Sequence, residues 1–394
     1  MHRLSTALGM PQHRFASLHV VGTNGKSSVT RMIAALLQAH GLRSGACTSP
    51  HPLRWSERVS IGGEEIDEAA FAAAVERTAQ AAGTVERGLE EGERVTQFEV
   101  ATAAAFVAFA AAHVKAAVIE AGLGGKLDAT NTIPSRVTVL TSIGLDHTEW
   151  LGETEMEIAA EKLAVLRDHT TLVLGALDPQ IQALAERTAA ERGAEVVVAP
   201  EDPGEGIELR AAGRFQRRNF ALAMSAAEVL LGELDPVKVS TVAATLTVPG
   251  RLERVADDPL ILLDAAHNPD GAVALAESIG EIAAGRPVVA CLAALGDKDA
   301  AAMVRALAPV LTRAVCTELP EEELRARGLP GVRSHRAATL VAACAQSGLP
   351  AEPVEGFAAA VRRARDLATA EPGATLLITG SNYVLAPARA ALRL

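Results

Sequence analysis

The sequence has few of the residue types that mark several classes of protein. Its 394 residues include four cysteines, eight phenylalanines, two tryptophans and one tyrosine. The cysteines form no C-x-x-C pair, which argues against a disulfide scaffold and favours reduced thiols in the cytosol. The net charge is −11 and no basic run or basic stripe interleaved with aromatics occurs, so nucleic-acid binding is not expected.

Long apolar runs are also lacking. The alanine-rich stretch 100–114 comes nearest, but it is too short for a membrane span and it contains Thr102 and His113. We interpret this stretch as a buried helix. The chain has no apolar signal region at its N-terminus, so we expect a cytoplasmic protein without a membrane partner.

Lysine is scarce, since only six of the 37 basic residues are lysines. Arginine therefore occupies nearly every other basic position, and three of the six lysines, Lys26, Lys126 and Lys162, fall inside the motifs described below. A retained lysine indicates a position that needs a compact ammonium, or an amine that can lose its proton, which arginine does not supply.

A glycine turn, a lysine and hydroxyl residues lie between a predicted strand at 17–21 and a predicted helix. Such a turn lets backbone N–H groups approach a phosphate, and the helix N-terminus adds positive partial charge. Lys26 is placed to reach the phosphates and Ser27 to ligate Mg²⁺. The run lacks the first glycine of the complete P-loop pattern, so a tight structural turn is the alternative interpretation. Its residues are Gly22, Thr23, Asn24, Gly25, Lys26, Ser27 and Ser28.

Apolar runs typical of strands alternate with helical patterns along the chain. This alternation predicts an α/β protein in which helices cover a parallel sheet. A change of character over 231–250, between Pro236 and Pro249, indicates a hinge, so we expect two domains, 1–246 and 247–394. The predicted strands are 17–21, 116–120, 136–141, 170–174 and 195–199 before the hinge, and 260–264, 287–292, 314–317 and 375–379 after it.

Three polar residues follow predicted strands. Glu120 ends an apolar run and is followed at once by glycines, while Ser49 and His147 come after two other runs. The carboxyl ends of parallel strands form the edge at which open α/β sheets bind ligands. Mg²⁺ prefers hard oxygen ligands and often bridges carboxylates, hydroxyls and nucleotide phosphates. This edge is therefore a candidate phosphate and metal site.

Lys162 lies on the apolar face of a predicted helix. Thr154 and Glu157 form a capping-box pattern at the start of this helix. The residue four positions before Lys162 is Ile158, so no helical ion pair accounts for the lysine. Burial would lower its pKa and leave an amine able to take up CO₂. A lysine that extends its ammonium to the surface is the alternative interpretation.

The ordered motifs of the chain closely resemble those of the folylpolyglutamate synthase/dihydrofolate synthase family, a branch of the Mur ligases. The resemblance implies a Mur-ligase-like P-loop ATPase domain with a parallel sheet and a smaller C-terminal Rossmann-like glutamate-ligase domain. It extends from the phosphate loop to the C-terminus. Besides the phosphate loop, the motifs are Thr48-Ser49-Pro50-His51, Ser56-Glu57-Arg58-Val59, Thr96-Gln97-Phe98-Glu99, Glu120 to Asn131, Asp146-His147, Glu161-Lys162, Pro249 to Glu253 and Asp264 to Pro269.

The resemblance also implies roles for residues at the matching positions. A second Mg²⁺ would be held by Ser49, Glu120, His147 and a carbamylated Lys162, while Ser27 serves the nucleotide-bound Mg²⁺. Besides the phosphate loop, the implied ATP-binding residues are Gln216, Asn219, Arg251, Asp264 and His267, and the implied folate-binding residues are Thr96, Phe98, Asp128 and Ala129. The implied catalytic residues are Lys26, Lys162, Arg251 and His267.

Three of these assignments carry structural conditions or alternatives. Arg251 lies at the hinge and would reach the phosphates only when the domains close. A helix N-cap beside Pro269 is the alternative role for Asp264. Core packing is the alternative role for Phe98, whose ring would otherwise suit a flat pteridine.

We therefore expect an ATP-dependent ligase that joins L-glutamate to a folate-type carboxylate through an acyl phosphate. The resemblance also implies a monomer that uses small-molecule substrates. The sequence leaves open whether the enzyme makes dihydrofolate, extends polyglutamate tails or does both. One alternative is another Mur-type ligase acting on a UDP-linked peptidoglycan precursor. A P-loop NTPase without ligase activity is an alternative of another class, although the Asn-Lys-x-Asp motif of a GTPase is absent.

Overall fold

The computed structural model describes residues 1–51, 53–326 and 331–393. The chain forms two compact units, residues 1–209 with 217–246 and residues 210–216 with 247–394. The segment 210–216 precedes the domain boundary expected from the sequence but packs in the second unit, where the Arg214 amide donates to the Ser278 hydroxyl. No helix in the described ranges is long and apolar enough to cross a bilayer.

The first unit contains a sheet of eight strands. They are β1 (Ala16–Val21), β2 (Ser44–Cys47), β3 (Val59–Ile61), β4 (Glu64–Glu65), β5 (Ala116–Glu120), β6 (Val137–Leu140), β7 (Thr171–Leu174) and β8 (Glu195–Val198). Their order is β4-β3-β2-β5-β1-β6-β7-β8. The strands β2, β5, β1, β6, β7 and β8 are neighbours in this order and pair in parallel. Beyond β2, the strands β3 and β4 extend the sheet in antiparallel pairs.

The second unit contains a sheet of six strands. They are β9 (Glu253–Asp257), β10 (Leu260–Leu263), β11 (Val288–Leu292), β12 (Arg313–Cys316), β13 (Ala351–Pro353) and β14 (Thr375–Thr379). Their order is β13-β12-β11-β14-β10-β9, and only β9 pairs in the antiparallel direction within the described part of this sheet. The predicted α/β architecture is thus confirmed in both units.

Helices connect the strands and cover the sheets. In chain order they are α1 (His2–Ala7), α2 (Lys26–Ala39), α3 (Glu68–Glu86), α4 (Gln97–Ala111), α5 (Thr148–Leu151), α6 (Glu155–Leu163), α7 (Pro179–Glu191), α8 (Arg214–Leu231), α9 (Pro236–Thr245), α10 (Pro269–Ala283), α11 (Ala300–Leu307), α12 (Glu321–Ala326), α13 (Ala337–Gln346), α14 (Phe357–Ala370) and α15 (Leu385–Leu392). Short 3-10 turns cover Pro11–His13, Trp55–Arg58, Ala129–Thr132, Ala308–Val310 and Asn382–Val384.

The alanine-rich stretch forms the buried helix that the sequence predicts. Phe106 and Phe109 of α4 are fully buried. The ring of Phe15 packs on both, with ring centroids 6.2 and 5.8 Å apart. Phe109 also lies against β2, since a Cβ atom on Gly45 would be 2.8 Å from its ring. A buried aromatic contributes roughly 3–5 kcal/mol by comparison with alanine, so this cluster stabilises the sheet beneath the candidate site.

Candidate functional site

The phosphate loop joins β1 to α2 in the first unit. Gly25 has a φ of 86° and is the N-cap of α2, and Gly22 has a φ of 147°. A Cβ atom on Gly22 would lie 1.9 Å from the Thr141 hydroxyl oxygen, so only glycine fits there. The Lys26 ammonium donates to the carbonyls of Gly22 and Thr23 at 2.9 and 3.0 Å. A cation therefore lies over the loop, beside the N-terminus of a 14-residue helix.

Residues that follow β6 hold the phosphate loop in shape. The amides of Thr23 and Asn24 donate to the Ser142 carbonyl and hydroxyl at 2.8 and 3.0 Å. The Thr141 hydroxyl donates to the Asn24 carbonyl at 2.6 Å. Thr141 and Ser142 were not predicted from the sequence, although two hydroxyl residues at the end of a strand next to β1 are a usable signal. Backbone groups of the loop are thus fixed before any ligand binds.

Three of the residues predicted to bind metal meet at the carboxyl end of β5. Only 2% of Glu120 is exposed. Its Oε1 accepts from the Ser27 hydroxyl at 2.8 Å, and its Oε2 accepts from the Ser49 amide at 2.9 Å. The structure thus places a buried carboxylate against the first turn of α2 and against the loop that follows β2.

His147 lies on the loop that follows β6, at the start of α5. It has a φ of 52°, and its side chain is 41% exposed with Nε2 3.9 Å from Asp146 Oδ1. The described residues contain no group of three or more histidine, cysteine, aspartate or glutamate side chains arranged to hold a metal. The predicted ligand set has only Glu120 and His147 of these types, so it depends on two hydroxyls and Lys162 as well.

Lys162 is buried, which excludes the surface alternative. Only 4% of this residue is exposed. Burial, and then the charge of Lys26, lower its pKa to about 7, while Asp146, Asp128 and Glu161 act in the opposite direction. Within the described residues its ammonium makes no hydrogen bond. A large fraction of Lys162 is therefore a neutral amine near neutral pH.

Two local features place Lys162 at the site. The predicted capping box of Thr154 and Glu157 is present at the start of α6. The loop after β5 packs directly on this helix, because a Cβ atom on Gly125 would lie 2.6 Å from the Glu161 carbonyl and 2.9 Å from that of Lys162. The Lys126 amide also donates to Glu161 Oε1 at 3.0 Å. The glycines that follow β5 therefore bring this loop onto the helix that carries the amine.

Asp128 organises the loop in which the folate candidates lie. Its Oδ2 accepts from the Leu123 amide at 2.8 Å, and its Oδ1 accepts from the Thr130 amide at 2.9 Å. Asp128 is half-buried, whereas the next residue, Ala129, is buried and starts the 3-10 turn that Asp128 caps. The carboxylate is thus held in one orientation by the loop it closes.

Phe98 and Thr96 lie at the start of α4. Phe98 is half-buried and lies over the loop after β5, since a Cβ atom on Gly122 would be 2.4 Å from the tip of its ring. Core packing and a role in the substrate site therefore both stay open for this ring. Thr96 is the N-cap of α4 in a capping box with Glu99. Its hydroxyl has this structural function whether or not it contacts a ligand.

In the second unit, Asp264 directly follows β10 and is 3% exposed. Its Oδ2 accepts from the Leu252 amide at 2.9 Å and its Oδ1 from the Ala266 amide at 2.8 Å. Burial raises its pKa, and the charge of Arg251 partly offsets this effect. The N-cap of α10 is Asn268, whose side chain accepts from the Gly271 amide. The alternative role of Asp264 as the N-cap beside Pro269 is therefore wrong.

Arg251 and His267 each adjoin a residue whose amide donates to Asp264, namely Leu252 and Ala266. Arg251 donates to the Gly250 carbonyl at 3.0 Å and to Asn382 Oδ1 at 3.3 Å. His267 Nδ1 is 2.9 Å from the Ala265 carbonyl, so this nitrogen carries the proton in that hydrogen bond. Asn382 was not predicted from the sequence to belong to the site.

Two of the residues implied to bind ATP, Gln216 and Asn219, lie on α8. Gln216 is fully buried and belongs to the second unit. Asn219 belongs to the first unit and lies against the phosphate loop, because a Cβ atom on Gly25 would be 2.7 Å from its Oδ1. Asn219 is thus a further reason why position 25 is a glycine.

Comparison with known proteins identifies close relatives. The Mur ligase, glutamate ligase domain model matches residues 250–382. The dihydrofolate synthase/folylpolyglutamate synthase of Mycobacterium tuberculosis is 35% identical over 352 residues, which cover 80% of this chain and 72% of that protein. The folylpolyglutamate synthase of Lacticaseibacillus casei is 34% identical over 340 residues, which cover 80% of this chain and 79% of that protein.

Solved structures agree with these relatives over nearly the whole chain. Mycobacterium tuberculosis folylpolyglutamate synthase complexed with ADP superimposes with a TM-score of 0.90 at 33% identity, covering 99% of this chain and 93% of that one. Escherichia coli FolC in complex with DHPP and ADP gives a TM-score of 0.84 at 27% identity, covering 100% and 93%. A bifunctional folylpolyglutamate synthase/dihydrofolate synthase with Mn, AMPPNP and L-glutamate bound gives a TM-score of 0.84 at 29% identity, covering 100% of this chain and 94% of that one.

Proposed function

Because this chain belongs to the folylpolyglutamate synthase/dihydrofolate synthase family of ATP-dependent ligases, we propose that it joins L-glutamate to a folate-type carboxylic acid. The observation that carries the proposal is the arrangement at the carboxyl edge of the first sheet. There Lys26 lies over a phosphate loop, and the buried Glu120 contacts Ser27 of the same loop. This edge is suited to ATP and to a metal ion that touches its phosphates.

The residues at this edge fit Mg²⁺. Glu120 supplies a buried carboxylate, Ser27 and Ser49 supply hydroxyls, and His147 lies on a neighbouring loop of the same edge. We propose that Ser27 serves one ion and that Ser49, Glu120, His147 and modified Lys162 serve a second. Bound Mg²⁺ would neutralise charge on the phosphates and on the reacting carboxylate. Glu120 would keep its neighbours aligned through the two hydrogen bonds it accepts.

We propose that Lys162 carries the CO₂-derived carbamate that the family pattern implies. The neutral amine attacks the carbon of CO₂, a C–N bond forms and one proton leaves, which gives an anionic carbamate. The burial of Lys162 and its pKa of about 7 support this assignment, because they supply the neutral amine that the addition requires. The carbamate would also place an anion beside Lys26, whose positive charge disfavours a second ammonium there.

The reaction we propose has two displacement steps. The substrate carboxylate attacks the γ-phosphorus of ATP and ADP leaves, which gives an acyl phosphate. The α-amine of L-glutamate then attacks the acyl carbon, phosphate leaves and the nitrogen loses a proton, which gives the amide. The chain contributes positioning and charge, for which Lys26, Arg251 and His267 are the candidate residues. Asp264, Gln216 and Asn219 complete the proposed nucleotide contacts.

For the acid substrate we propose contacts from Thr96, Phe98, Asp128 and Ala129. The ring of Phe98 offers a flat apolar surface over the loop after β5. The Asp128 carboxylate suits the amino-pyrimidine edge of a pteridine, because a carboxylate accepts hydrogen bonds from such an edge. We further propose that the enzyme is a monomer located in the cytoplasm. The four cysteines, which are buried and form no disulfide, support the cytoplasmic location. Light scattering on the purified enzyme would test the monomer.

The assay that tests the function measures ADP release with each substrate omitted in turn. We expect release only when ATP, a pteroate-type acid and L-glutamate are all present. Release without acid or amine would indicate a simple NTPase, and release that requires a UDP-linked peptide precursor would indicate another Mur-type ligase. Rates with dihydropteroate and with tetrahydrofolate, measured side by side, would show which of the two syntheses the enzyme performs.

A further inference from the structure

A buried histidine of β1 contacts the loop that carries Asp128. His19 is completely buried, two residues before the strand ends at Val21. Its Nε2 is 2.7 Å from the Thr130 hydroxyl oxygen, and that hydroxyl donates to Asp128 Oδ1. The three side chains therefore form a continuous chain from the strand that precedes the phosphate loop to the carboxylate assigned above to the folate substrate.

The direction of each hydrogen bond follows from the number of protons. A hydroxyl has one proton, and the Thr130 proton is directed to the carboxylate, which only accepts. His19 must therefore donate from Nε2, and its Nδ1 carries no proton. In agreement, Nδ1 is buried and has no hydrogen-bond partner among the residues that the structure describes. Burial, and then the charge of Arg167, lower the pKa of His19 to about 3, so this tautomer persists at neutral pH.

An unpaired buried nitrogen is unfavourable for folding. Leaving such a group unsatisfied costs roughly 1–3 kcal/mol, and an apolar side chain in its place would avoid this cost. The neighbouring part of the loop has a separate anchor, because Arg167 donates to the carbonyl and side chain of Asn131, and Asn131 donates to the Lys126 carbonyl. The loop is thus attached without His19, whose hydrogen bond acts on Thr130.

We propose that His19 is a positioning residue that orients the Asp128 carboxylate through the Thr130 hydroxyl and thereby sets the affinity for the acid substrate. The inference rests on the proposed function, in which Asp128 contacts the pteridine. With Oδ1 held by Thr130 and Oδ2 by the Leu123 amide, the carboxylate plane is fixed before substrate binds. Preorganisation of this kind appears in KM more than in kcat, because no proton moves through the chain.

The test uses two matched pairs of variants. In His19→Gln the amide nitrogen takes the position of Nε2 and still reaches Thr130, whereas in His19→Asn it takes the position of Nδ1 and does not. Thr130→Ser keeps the hydroxyl, and Thr130→Val removes it at almost constant volume. We expect His19→Asn and Thr130→Val to raise KM for the pteroate or folate substrate roughly tenfold, with KM for ATP and kcat unchanged within about twofold.

His19→Gln and Thr130→Ser should stay within about threefold of the wild-type KM for the acid. Equal KM values for the acid in Thr130→Val and Thr130→Ser would overturn the proposal, and so would an equal rise in KM for ATP. If His19→Asn does not fold, the threonine pair still decides the question. If the wild-type enzyme shows no ligation, the proposed function fails instead, so the two failures are distinguishable.

A measurement without turnover tests the tautomer itself. In ¹⁵N-labelled enzyme, two-dimensional NMR of the imidazole groups should show for His19 a protonated Nε2 and an unprotonated Nδ1, unchanged between pH 6 and pH 8. His19→Gln identifies the signal by its loss. A proton on Nδ1 would overturn the proposal, because Nε2 would then accept from Thr130 and the hydroxyl would have no proton for Asp128.

Discussion

The two sheets end in buried carboxylates that are held by different partners. Glu120 in the first unit accepts from one side-chain hydroxyl, that of Ser27, and from the amide of Ser49 in another loop. Asp264 in the second unit accepts from the amides of Leu252 and Ala266. Both residues are at most 3% exposed, so burial alone does not separate them.

The two carboxylates differ in whether the groups that donate to them are able to rotate. A serine hydroxyl rotates, so Ser27 keeps its oxygen available to a metal or phosphate while it donates to Glu120. Backbone amides do not rotate, and the two that contact Asp264 fix Leu252, whose φ is 48°, and Ala266. These residues adjoin Arg251 and His267. We infer that Glu120 acts on ligands directly, whereas Asp264, besides its proposed nucleotide contact, holds the segments that carry two functional side chains.

The largest effect is expected on replacing Lys162, and it distinguishes a carbamylated lysine from one that has only a structural role. Lys162→Arg should lower kcat/KM for ligation roughly 100-fold or more, because arginine forms no carbamate and brings a permanent charge to the metal site. Lys162→Ala should be similarly impaired, and acetate should restore part of its activity by occupying the vacated space. Intact-mass measurement of the wild type with bicarbonate should show one added CO₂, although the adduct is acid-labile.

A lysine that only held a surface ion pair would tolerate replacement by arginine at a cost of roughly 0–1 kcal/mol. Wild-type activity in Lys162→Arg would therefore refute the carbamate assignment. Lys238, an exposed residue of α9, provides the matched control. Lys238→Arg should leave ligation unchanged.

Glu120→Gln tests whether the buried carboxylate of the first unit binds a metal ion. At limiting Mg²⁺ we expect kcat/KM to fall roughly 10- to 100-fold, with part of the loss recovered by excess Mg²⁺, because a charged oxygen ligand is lost. The free energy of unfolding should change by only about 1 kcal/mol, since the glutamine oxygen still accepts a hydrogen bond and the Ser27 hydroxyl, unlike a backbone amide, rotates. Unchanged Mg²⁺ dependence would contradict a metal role for Glu120.

Asp264→Asn tests whether the buried carboxylate of the second unit mainly holds the backbone around it. Asparagine offers one acceptor oxygen to two buried amides, so we expect a loss of roughly 1–3 kcal/mol in the stability of the second unit. The fall in kcat/KM should be smaller than in Glu120→Gln, and it should not depend on Mg²⁺. Denaturant unfolding, followed by a probe in each unit, measures the first effect. A Mg²⁺-dependent loss equal to that of Glu120→Gln would remove the distinction between the two carboxylates.

The two units should also respond differently to acid. The pKa of His19 is lowered to about 3, so between about pH 6.5 and pH 3 the unfolded chain binds a proton that the folded chain does not. Its contribution to stability therefore falls as the pH falls through this window, by up to about 1.4 kcal/mol per pH unit. The pKa of Asp264 is raised, so its contribution rises as the pH falls.

Unfolding free energies at several pH values would test this contrast. The difference between wild type and His19→Gln should shrink or reverse from pH 6.5 downward, since glutamine binds no proton. The difference between wild type and Asp264→Asn should change in the opposite direction. Parallel pH profiles for the two variants would show that the burial of these groups does not govern the acid response.

Elements with strong local patterns were predictable from the sequence. The central strands, the capping box at Thr154 and the buried alanine-rich helix all follow from residue order and periodicity, because their partners lie nearby in the chain or their burial is nearly complete. The antiparallel strands β3, β4, β9 and the short β13 were not predicted. They are short and partly exposed, so their pattern is weak even where, as in β3 with β4 and β9 with β10, the partner follows closely in the chain.

The candidate site shows the same limit. The phosphate loop and Glu120 were identifiable because they follow strands directly. Thr141, Ser142 and the contact between His19 and Thr130 were not, since each depends on strands brought together by the fold. The sequence placed Lys162 on an apolar face, but only the packing of Gly125 on α6 explains how this face becomes part of the site.

The smallest expected effect concerns Thr96, which the sequence analysis assigned to the folate substrate and the structure shows as a helix cap. Its hydroxyl accepts from the Glu99 amide, and Glu99 accepts from the Thr96 amide in return. Thr96→Ala should therefore cost roughly 1 kcal/mol of stability. Thr96→Ser preserves the cap, so it isolates the remaining contribution of the methyl group. If Thr96 serves only α4, the serine variant should match the wild type in unfolding free energy and in KM for the acid. A raised KM with unchanged stability in Thr96→Ser would instead assign the methyl group to the substrate pocket, beside Phe98.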